Sequence, residues 1–262
     1  MIPDYHIHTK FSRDAKGEVE DFLKTATTRK ISEIGFSEHL FFNYSHNFLI
    51  KNNIAMLLNE LKSYIKFIHG IRKKSPISIK IGCEIEFSPE FLDKIKKTLN
   101  EFNFDYTIVS SDSIGSLAIP NEQWWKRYKI KYIYRRYFRV LQTAINSGLF
   151  DIVGHIDHLK KYGFRFDKEY HELMRETIEI IKEKNMCIEV NTSGLDKCKE
   201  QYPNKKILKL CFDLGIPITL GSDAHNPNEV GRYFKEIINL LKSIGYDKIA
   251  VFKGRKRNFI EI

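Results

Sequence analysis

Cysteine is scarce in this sequence and does not form a structural framework. The chain has 262 residues and four cysteines, which make no CxxC motif and no close pair. A chain of this length buries enough apolar surface to fold without covalent cross-links, and disulfide scaffolds are typical of small secreted domains. We therefore expect reduced thiols and no disulfide scaffold.

Long apolar runs are also missing. The first residues, MIPDYHIHTKF, contain neither the basic nor the apolar region of a signal peptide. No apolar run approaches the length of a membrane span. These absences predict a cytoplasmic protein without a membrane partner.

Several signatures of well-known enzyme classes are absent. No GxGxxG or GxxxxGK[ST] motif follows the first β-rich run, which weakens a nucleotide-binding interpretation. There is no GxSxG elbow and no HExxH pair. Serine-based nucleophilic catalysis and zincin-type chemistry are therefore poor interpretations.

Positive charge is in excess. Lys and Arg number 43 against 33 Asp and Glu, which gives a formal charge of +10. This balance suggests nucleic acid as a partner, and the aromatic and basic stretch 121–147 would suit single-strand binding. However, Lys is abundant along the whole chain, and the same stretch also fits an amphipathic helix with a basic outer face. We therefore do not expect nucleic acid as the partner.

Short β-rich runs alternate with longer amphipathic stretches along the chain. Seven or eight strands, each followed by a helix, favour an α/β fold with a mainly parallel sheet. At this length such a sheet closes naturally into a barrel. A doubly wound open sheet is the alternative. One domain covering residues 1–262 accounts for the chain, although its last residues, GRKRNFIEI, have no predicted role. The β-rich runs are 3–6, 33–37, 78–84, 106–110, 151–155, 187–191, 217–221 and 248–252, and the amphipathic stretches are 19–30, 49–74, 89–101, 122–147, 168–185, 203–214 and 227–243.

Histidine, aspartate and glutamate recur where the predicted strands end. In a parallel barrel these ends converge on one face, where active sites are built. One such residue would mean little, but seven successive strand ends that each supply one indicate a functional site. The residues are His6, His8, Glu38, His39, Glu84, Glu86, Asp112, His155, Asp157, His158, Glu189, Asn191, Asp223 and His225.

This set of side chains suits divalent metal ions. Imidazoles and carboxylates without cysteine are typical ligands of Zn, Mn or Fe. His6 and His8 point to the same side of an extended segment, since side chains alternate along a strand. A carboxylate such as Glu84 can bridge two ions, and ions about 3.5–4 Å apart can share a hydroxide and clamp a phosphoryl oxygen.

Six segments together resemble the PHP (polymerase and histidinol phosphatase) superfamily. In chain order they are DYHIHTKFSRDA, GFSEHL, GCEIEF, GHIDHLKKYG, EVNTSGL and GSDAHNPNEVG. HxH alone is a weak signal, but the combination, over about residues 3–235, is specific. The nearest branch is that of the monofunctional histidinol-phosphate phosphatases. The resemblance implies a distorted (β/α)7 TIM-like barrel with three divalent metal ions on its C-terminal face.

The resemblance also implies ligands for each ion, with one departure from the family pattern. Strand four of the family commonly ends in Ser-x-His, whereas this chain reads DYTIVSSDS and has Asp112 in place of the histidine. Asp112 can still ligate Zn, Mn or Fe and favours harder ions such as Mn, or it points away and weakens the second ion. The implied sets are His6, His8, Glu84 and Asp223 for the first ion, Glu84, His155 and Asp112 for the second, and Asp14, His39 and His225 for the third.

The implied reaction is hydrolysis of L-histidinol phosphate, in histidine biosynthesis, by a metal-activated hydroxide. Glu84 and Asp223 are expected to hold and orient the hydroxide, and His158 is a candidate acid for the leaving group. Two alternatives stay open: a PHP phosphoesterase for another ester, such as a nucleotide or sugar phosphate, and a metal-impaired PHP binding module. The surplus of basic residues would give a positive field around a phosphate-binding mouth. Candidates for binding the phosphate itself are Arg165, Lys161 and Arg232.

Overall fold

Seven parallel strands form the centre of the structure, a computed structural model that describes residues 2–111, 130–163 and 168–262. Asp112 and Arg165 lie outside the described residues. The strands are β1 (Pro3–Ile7), β2 (Glu33–Phe41), β3 (Ser78–Glu86), β4 (Ile108–Ser110), β5 (Ile152–Val153), β6 (Cys187–Asn191), β7 (Ile218–Gly221), β8 (Lys248–Lys253) and β9 (Lys256–Glu261).

Helices follow the barrel strands and pack their apolar faces against them. In the first helix, Val19, Phe22 and Ala26 are buried, which is the face that the sequence periodicity indicates. Among the described residues, no helix is both long and apolar enough to span a membrane. The helices are α1 (Val19–Thr28), α2 (His46–Asn52), α3 (Leu61–Arg72), α4 (Leu92–Glu101), α5 (Ile130–Asn146), α6 (Lys168–Glu183), α7 (Gly194–Cys198), α8 (Lys205–Asp213) and α9 (Phe234–Ile244).

The strands follow one another in sheet order from β1 to β7, and every neighbouring pair is parallel. The sheet then returns on itself. The amide of His8 donates to the carbonyl of Ala224 at 2.9 Å, and the amide of Ala224 donates to the carbonyl of His6 at 3.2 Å. These bonds bring β1 beside the segment that follows β7. The predicted α/β barrel is therefore confirmed, and the open doubly wound sheet is wrong.

The amphipathic stretch 49–74 is divided in the structure. After α2 the chain turns at Asn53, which has a left-handed backbone with φ 48°. The amide of Met56 then donates to the carbonyl of His39 at 3.2 Å, and Leu40 pairs with Met56 as an isolated parallel bridge. A segment held against a strand cannot be helical, so α3 begins only at Leu61.

The eighth β-rich run does not join the barrel. β8 pairs antiparallel with β9 as a separate hairpin, so the C-terminal residues that had no predicted role form its second strand. The hairpin packs against the beginnings of the barrel strands. The hydroxyl of Thr219 donates to the carbonyl of Ala250 at 3.0 Å, and the amide of Phe252 donates to the hydroxyl of Tyr5 at 3.0 Å. The hairpin thus covers the end of the barrel opposite the strand ends that carry the histidines.

Tyr106 fills the barrel interior next to this hairpin. Its ring lies 4.8 Å from that of Tyr5, and its hydroxyl donates to the carbonyl of Tyr5 at 2.7 Å. The ring lies against Gly82, where a Cβ atom would be only 2.3 Å from Cζ of Tyr106. A side chain at position 82 would therefore displace a fully buried tyrosine.

Gly82→Ala is expected to destabilise the fold by about 1–3 kcal/mol, because added volume in a packed core forces neighbours to move. Denaturant unfolding would measure this free energy. Gly70→Ala in α3 is the matched control, because a Cβ there meets no described atom within 4 Å. That change is expected to stabilise the helix by roughly 0.5–1 kcal/mol. Equal effects of the two substitutions would contradict the packing of Tyr106.

Candidate metal centre

The structure brings the described strand-end residues together on one face of the barrel. Their positions follow from strand order, because the carboxyl ends of parallel strands meet at the same end of a barrel. The innermost side chains are almost fully removed from solvent, and those at the rim, Asp14, His39 and His225, are more exposed. The buried residues among the predicted ligands are His6, His8, Glu84, His155 and Asp223.

Four ligand atoms surround one point in this cluster. The Nε2 atom of His6 lies 3.3 Å from Oε2 of Glu84 and 3.8 Å from Oδ1 of Asp223. The Nε2 atom of His8 lies 3.7 and 3.5 Å from the same two oxygens. Donors bound tetrahedrally to zinc at about 2.0–2.1 Å are separated by about 3.4 Å. The set predicted for the first ion therefore has the spacing that such an ion requires.

The two histidine nitrogens of this set also lack other partners. Among the residues that the structure describes, Nε2 of His6 and Nε2 of His8 are buried and form no hydrogen bond. A buried polar atom without a partner is costly, and such atoms in native proteins usually have a ligand, an ion or water. Both nitrogens fit a bound cation.

A second group lies at the rim of the site. The Oδ2 atom of Asp14 is 3.4 Å from Nε2 of His39 and 3.4 Å from Nε2 of His225. These are the three residues that the family resemblance implies as ligands of the third ion, and this role stays a prediction. His39 also connects the two groups, because its Nδ1 atom lies 2.7 Å from Oε2 of Glu84.

The set predicted for the second ion is described only in part. Nε2 of His155 lies 2.9 Å from Oε1 of Glu84, whereas Asp112 is outside the described residues. Glu84 therefore has one carboxylate oxygen toward His155 and the other toward His6, His8 and His39. This is the position that a bridging carboxylate requires.

Glu189 contacts two of these histidines through atoms that do not face the other ligands. Its Oε1 atom lies 2.5 Å from Nδ1 of His6, and its Oε2 atom accepts a hydrogen bond from the backbone amide of His155 at 2.9 Å. A histidine whose Nδ1 is held by a carboxylate keeps Nε2 free for an ion. The contact depends on Gly221, since a Cβ there would lie 2.1 Å from Oε1 of Glu189.

The carboxylates are held in their ionised form. Burial raises the pKa of Glu84, but the adjacent His6 and His39 outweigh it and hold the pKa well below its usual range. Burial likewise raises the pKa of Asp223, and Lys197 and His6 hold it well below its usual range. Both carboxyls are therefore charged at neutral pH, as metal ligands must be.

The two innermost imidazoles differ in charge. Burial and the nearby His39 and His225 lower the pKa of His8 well below its usual range, which leaves the ring neutral. Burial alone would lower the pKa of His6, but the carboxylates around it, Glu189 first, raise the pKa well above its usual range. A cation at this point would take the place of the proton on His6.

The residues predicted to assist substrate or leaving group lie further out. His158 is buried, with its ring 4.5 Å from that of His155. Lys161 extends over the ring of Tyr162, with Nζ 4.9 Å from the ring centroid. Their roles in the reaction stay predictions.

Arg232 supports the backbone beside the site. Its guanidinium lies 3.0 Å from Asp196 and 3.2 Å from Glu229, and it donates to the carbonyl of Ser222 at 3.1 Å. These contacts hold the segment that carries Asp223. Phosphate binding by Arg232 stays a prediction.

Lys197 is a residue at the site that the sequence motifs did not identify. It lies on the five-residue helix α7, with Nζ 3.0 Å from Oδ2 of Asp223 and 39% of its side chain exposed. A single lysine gives no signal in a chain that has lysine throughout. Only the tight turn after β6 brings it to the mouth.

Comparisons with known proteins identify the family of the chain. A family model described as the PHP domain matches residues 4–193, and one described as PHP-associated matches residues 201–242. The chain is 27% identical to a probable histidinol-phosphatase of Deinococcus radiodurans, over 97% of both chains. It is 30% identical to a probable phosphatase of Clostridium botulinum, over 99% of this chain and 93% of the relative.

A solved structure has the same fold. Histidinol phosphate phosphatase from Lactococcus lactis subsp. lactis, complexed with zinc, L-histidinol and phosphate, has a TM-score of 0.81 and 24% identity, with 98% of each chain covered. The PHP domain model spans most of the chain and includes four of the six motifs that carry the resemblance, together with the first five residues of EVNTSGL. The chain therefore belongs to the PHP family.

Proposed function

We propose that this protein is a metal-dependent phosphomonoesterase that hydrolyses L-histidinol phosphate to L-histidinol and phosphate. The observation that carries the proposal is the buried set of His6, His8, Glu84 and Asp223, in which each Nε2 atom lies 3.3–3.8 Å from both carboxylate oxygens. The full-length similarity to a probable histidinol-phosphatase supports the choice of substrate.

Divalent ions in this centre would supply an activated water and neutralise the charge of a phosphate group. The chain's own residues position the reactants. Asp223 is fixed by the hydroxyl of Ser193, at 2.9 Å, and by Lys197. Glu84 is fixed by His155 and His39. These two carboxylates orient the attacking water and accept its hydrogen bonds.

The leaving alkoxide requires a proton, and we propose His158 as its source. An imidazole is the side chain whose usual pKa best suits proton transfer near neutral pH. The position of His158 beside His155 supports this role.

We propose that the centre holds three ions, drawn from Zn, Mn and Fe. Glu84 contacts one histidine of each of the three ligand groups, namely His6, His39 and His155. The zinc in the solved structure from Lactococcus lactis supports zinc as the identity of at least one ion. Because the ligands are imidazoles and carboxylates, the donor set suits all three metals.

Metal analysis of the purified protein is expected to give three ions per chain. Asp112→Ala is expected to lower the count by one, and Asp112→His, which restores the histidine of the family pattern, should keep three. Glu101→Gln, at the end of α4, is the control and should leave the count unchanged. A count of two that Asp112→Ala does not alter would show that Asp112 is not a ligand and would favour the metal-impaired alternative.

Lys197 provides a positive charge for the phosphate. Its ammonium group is held by Asp223 and is partly open to solvent, so it can also contact an incoming anion. A charge-assisted hydrogen bond to a phosphate oxygen contributes about 1.5–3 kcal/mol.

Lys197→Met is expected to lower kcat/KM for the phosphate ester about tenfold, mainly through KM, because about 1.4 kcal/mol of binding free energy is lost. Steady-state kinetics would measure this change. Lys199→Met is the control, since Lys199 is an exposed lysine just beyond α7. A loss of equal size in both variants would show a general effect of charge and would contradict a direct role for Lys197.

Hydrolysis of histidinol phosphate should be compared with that of a nucleotide monophosphate and an aryl phosphate, with Zn, Mn and Fe added separately. We expect kcat/KM for histidinol phosphate to be at least about tenfold higher than for the other two esters, because a site specific for one substrate makes contacts with its alcohol part that the other esters lack. Equal rates would overturn this substrate and favour another phosphate ester, which also fits the phosphatase of Clostridium botulinum. An ion-loaded protein that hydrolyses none of them would favour a binding module.

We further propose that residues 1–262 act as one domain. The C-terminal hairpin supports this, because Arg255 and Arg257 connect it to the barrel. Nε of Arg255 lies 2.5 Å from Asp151, and the guanidinium of Arg257 donates to the carbonyl of Asn185 at 2.8 Å.

A further inference from the structure

Ser12 lies behind the metal centre, on the short turn that follows β1, and is fully buried. Its hydroxyl donates to Oε2 of Glu38 at 2.5 Å and accepts the backbone amide of His39 at 2.9 Å. The same oxygen lies 3.3 Å from Nδ1 of His8. One hydroxyl therefore contacts residues from the first and the third ligand groups.

Glu38 is a buried carboxylate that the proposed reaction does not use. It accepts hydrogen bonds from the amide of Thr9, at 3.1 Å, and from the hydroxyl of Thr9, at 2.7 Å, as well as from Ser12. Its described hydrogen bonds thus all run to the turn between His8 and Asp14. An unpaired buried carboxylate would be very unfavourable, so these bonds are strong constraints on the turn.

The hydrogen bonds of Ser12 determine where the proton on His8 lies. A serine hydroxyl offers one hydrogen and two lone pairs. The hydrogen is committed to Glu38, and one lone pair takes the amide of His39. The other lone pair faces Nδ1 of His8, so Nδ1 must carry a hydrogen. Nε2 of His8 then keeps its lone pair, directed toward Glu84 and Asp223.

We propose that Glu38 and Ser12 are positioning residues that fix the tautomer of His8 and thereby set the affinity of the first ligand group for its ion. Glu189 contacts Nδ1 of His6 directly through its carboxylate, whereas Glu38 acts on Nδ1 of His8 through the hydroxyl of Ser12. The hydrogen bond that the hydroxyl of Ser12 accepts from the amide of His39 also fixes the position of the third group relative to the first. This inference rests on the ion-binding part of the proposed function and is independent of the substrate.

The test is metal titration of the full-length, metal-free protein with Zn²⁺ and with Co²⁺. Ser12→Ala is expected to weaken binding at the first group 10- to 100-fold, the usual cost of removing a partner of a ligating histidine, and to change the visible absorption of bound Co²⁺. Ser37→Ala is the matched control. Ser37 is equally buried and its hydroxyl accepts the amide of Ile7 at 3.2 Å, but within the described part of the chain it forms no hydrogen bond to a side chain of the centre. It should leave affinity and spectrum within about twofold of the wild type.

Two further variants keep the test independent of folding. Ser12→Thr retains the hydroxyl and should restore the affinity and the Co²⁺ spectrum. Ser12→Cys fills the space that alanine would leave empty, yet sulfur is a weak acceptor, so it should behave like Ser12→Ala. Unfolding of the metal-free proteins would show whether Ser12→Ala and Ser37→Ala lose similar stability.

The outcomes separate this inference from the proposed function. Wild-type affinity and spectrum in Ser12→Ala and Ser12→Cys would overturn the role of Ser12. Equal losses in Ser12→Ala and Ser37→Ala would overturn it as well, because a general loss of buried hydrogen bonding would explain both. If the wild-type protein itself binds no ion, the proposed function fails first.

Discussion

Closure of the barrel between β1 and the segment after β7 is the constraint on which the rest of the structure depends. The backbones of His6 and His8 bond to Ala224, and Asp223 and His225 lie on either side of it. The residues that close the barrel are therefore those proposed as ligands of the first ion, or their direct neighbours in the chain. If this seam opened, His6 and His8 would move away from Asp223, and the four ligand atoms of the first group would no longer surround one point.

The interior of the centre contains several buried charges, each of which would be unfavourable without the others. Glu84 and Asp223 are buried as anions, which is tolerated because His6, His39 and Lys197 lie next to them. His8 stays neutral because burial and the nearby His39 and His225 lower its pKa. The two anions are thus compensated by neighbouring positive charge, and a bound cation would take the place of the proton on His6.

The repeating pattern of strands and helices made the barrel predictable from the sequence, because burial on both faces makes parallel strands continuous apolar runs. β6 was predicted with its observed bounds. β2 and β3 were predicted too short, since Glu38, His39 and Glu86 interrupt the apolar run while the sheet hydrogen bonds continue to Phe41 and Glu86. Charged residues at a site resemble the end of a strand when only the sequence is read.

Other features depend on contacts between distant parts of the chain, which no local pattern contains. The hairpin at the base of the barrel was recognised only as an eighth β-rich run, because its partners Tyr5 and Thr219 lie far away in sequence. Lys197 and the role of Ser12 were missed for the same reason. The motifs predicted the ligands, whereas the positions of Lys197 and Ser12 beside them became visible only in the fold.

The shared position of the barrel seam and the first ligand group has a consequence for the lifetime of the protein in a cell. An ion that binds the folded chain but not the unfolded one adds about 2.7 kcal/mol to the free energy of unfolding when its concentration is 100 times its Kd. That free energy would act across the seam itself, where His6 and His8 meet Ala224. Metal supply would then govern how often the barrel opens to proteases, so scarcity of the ion would reduce the amount of protein as well as its turnover.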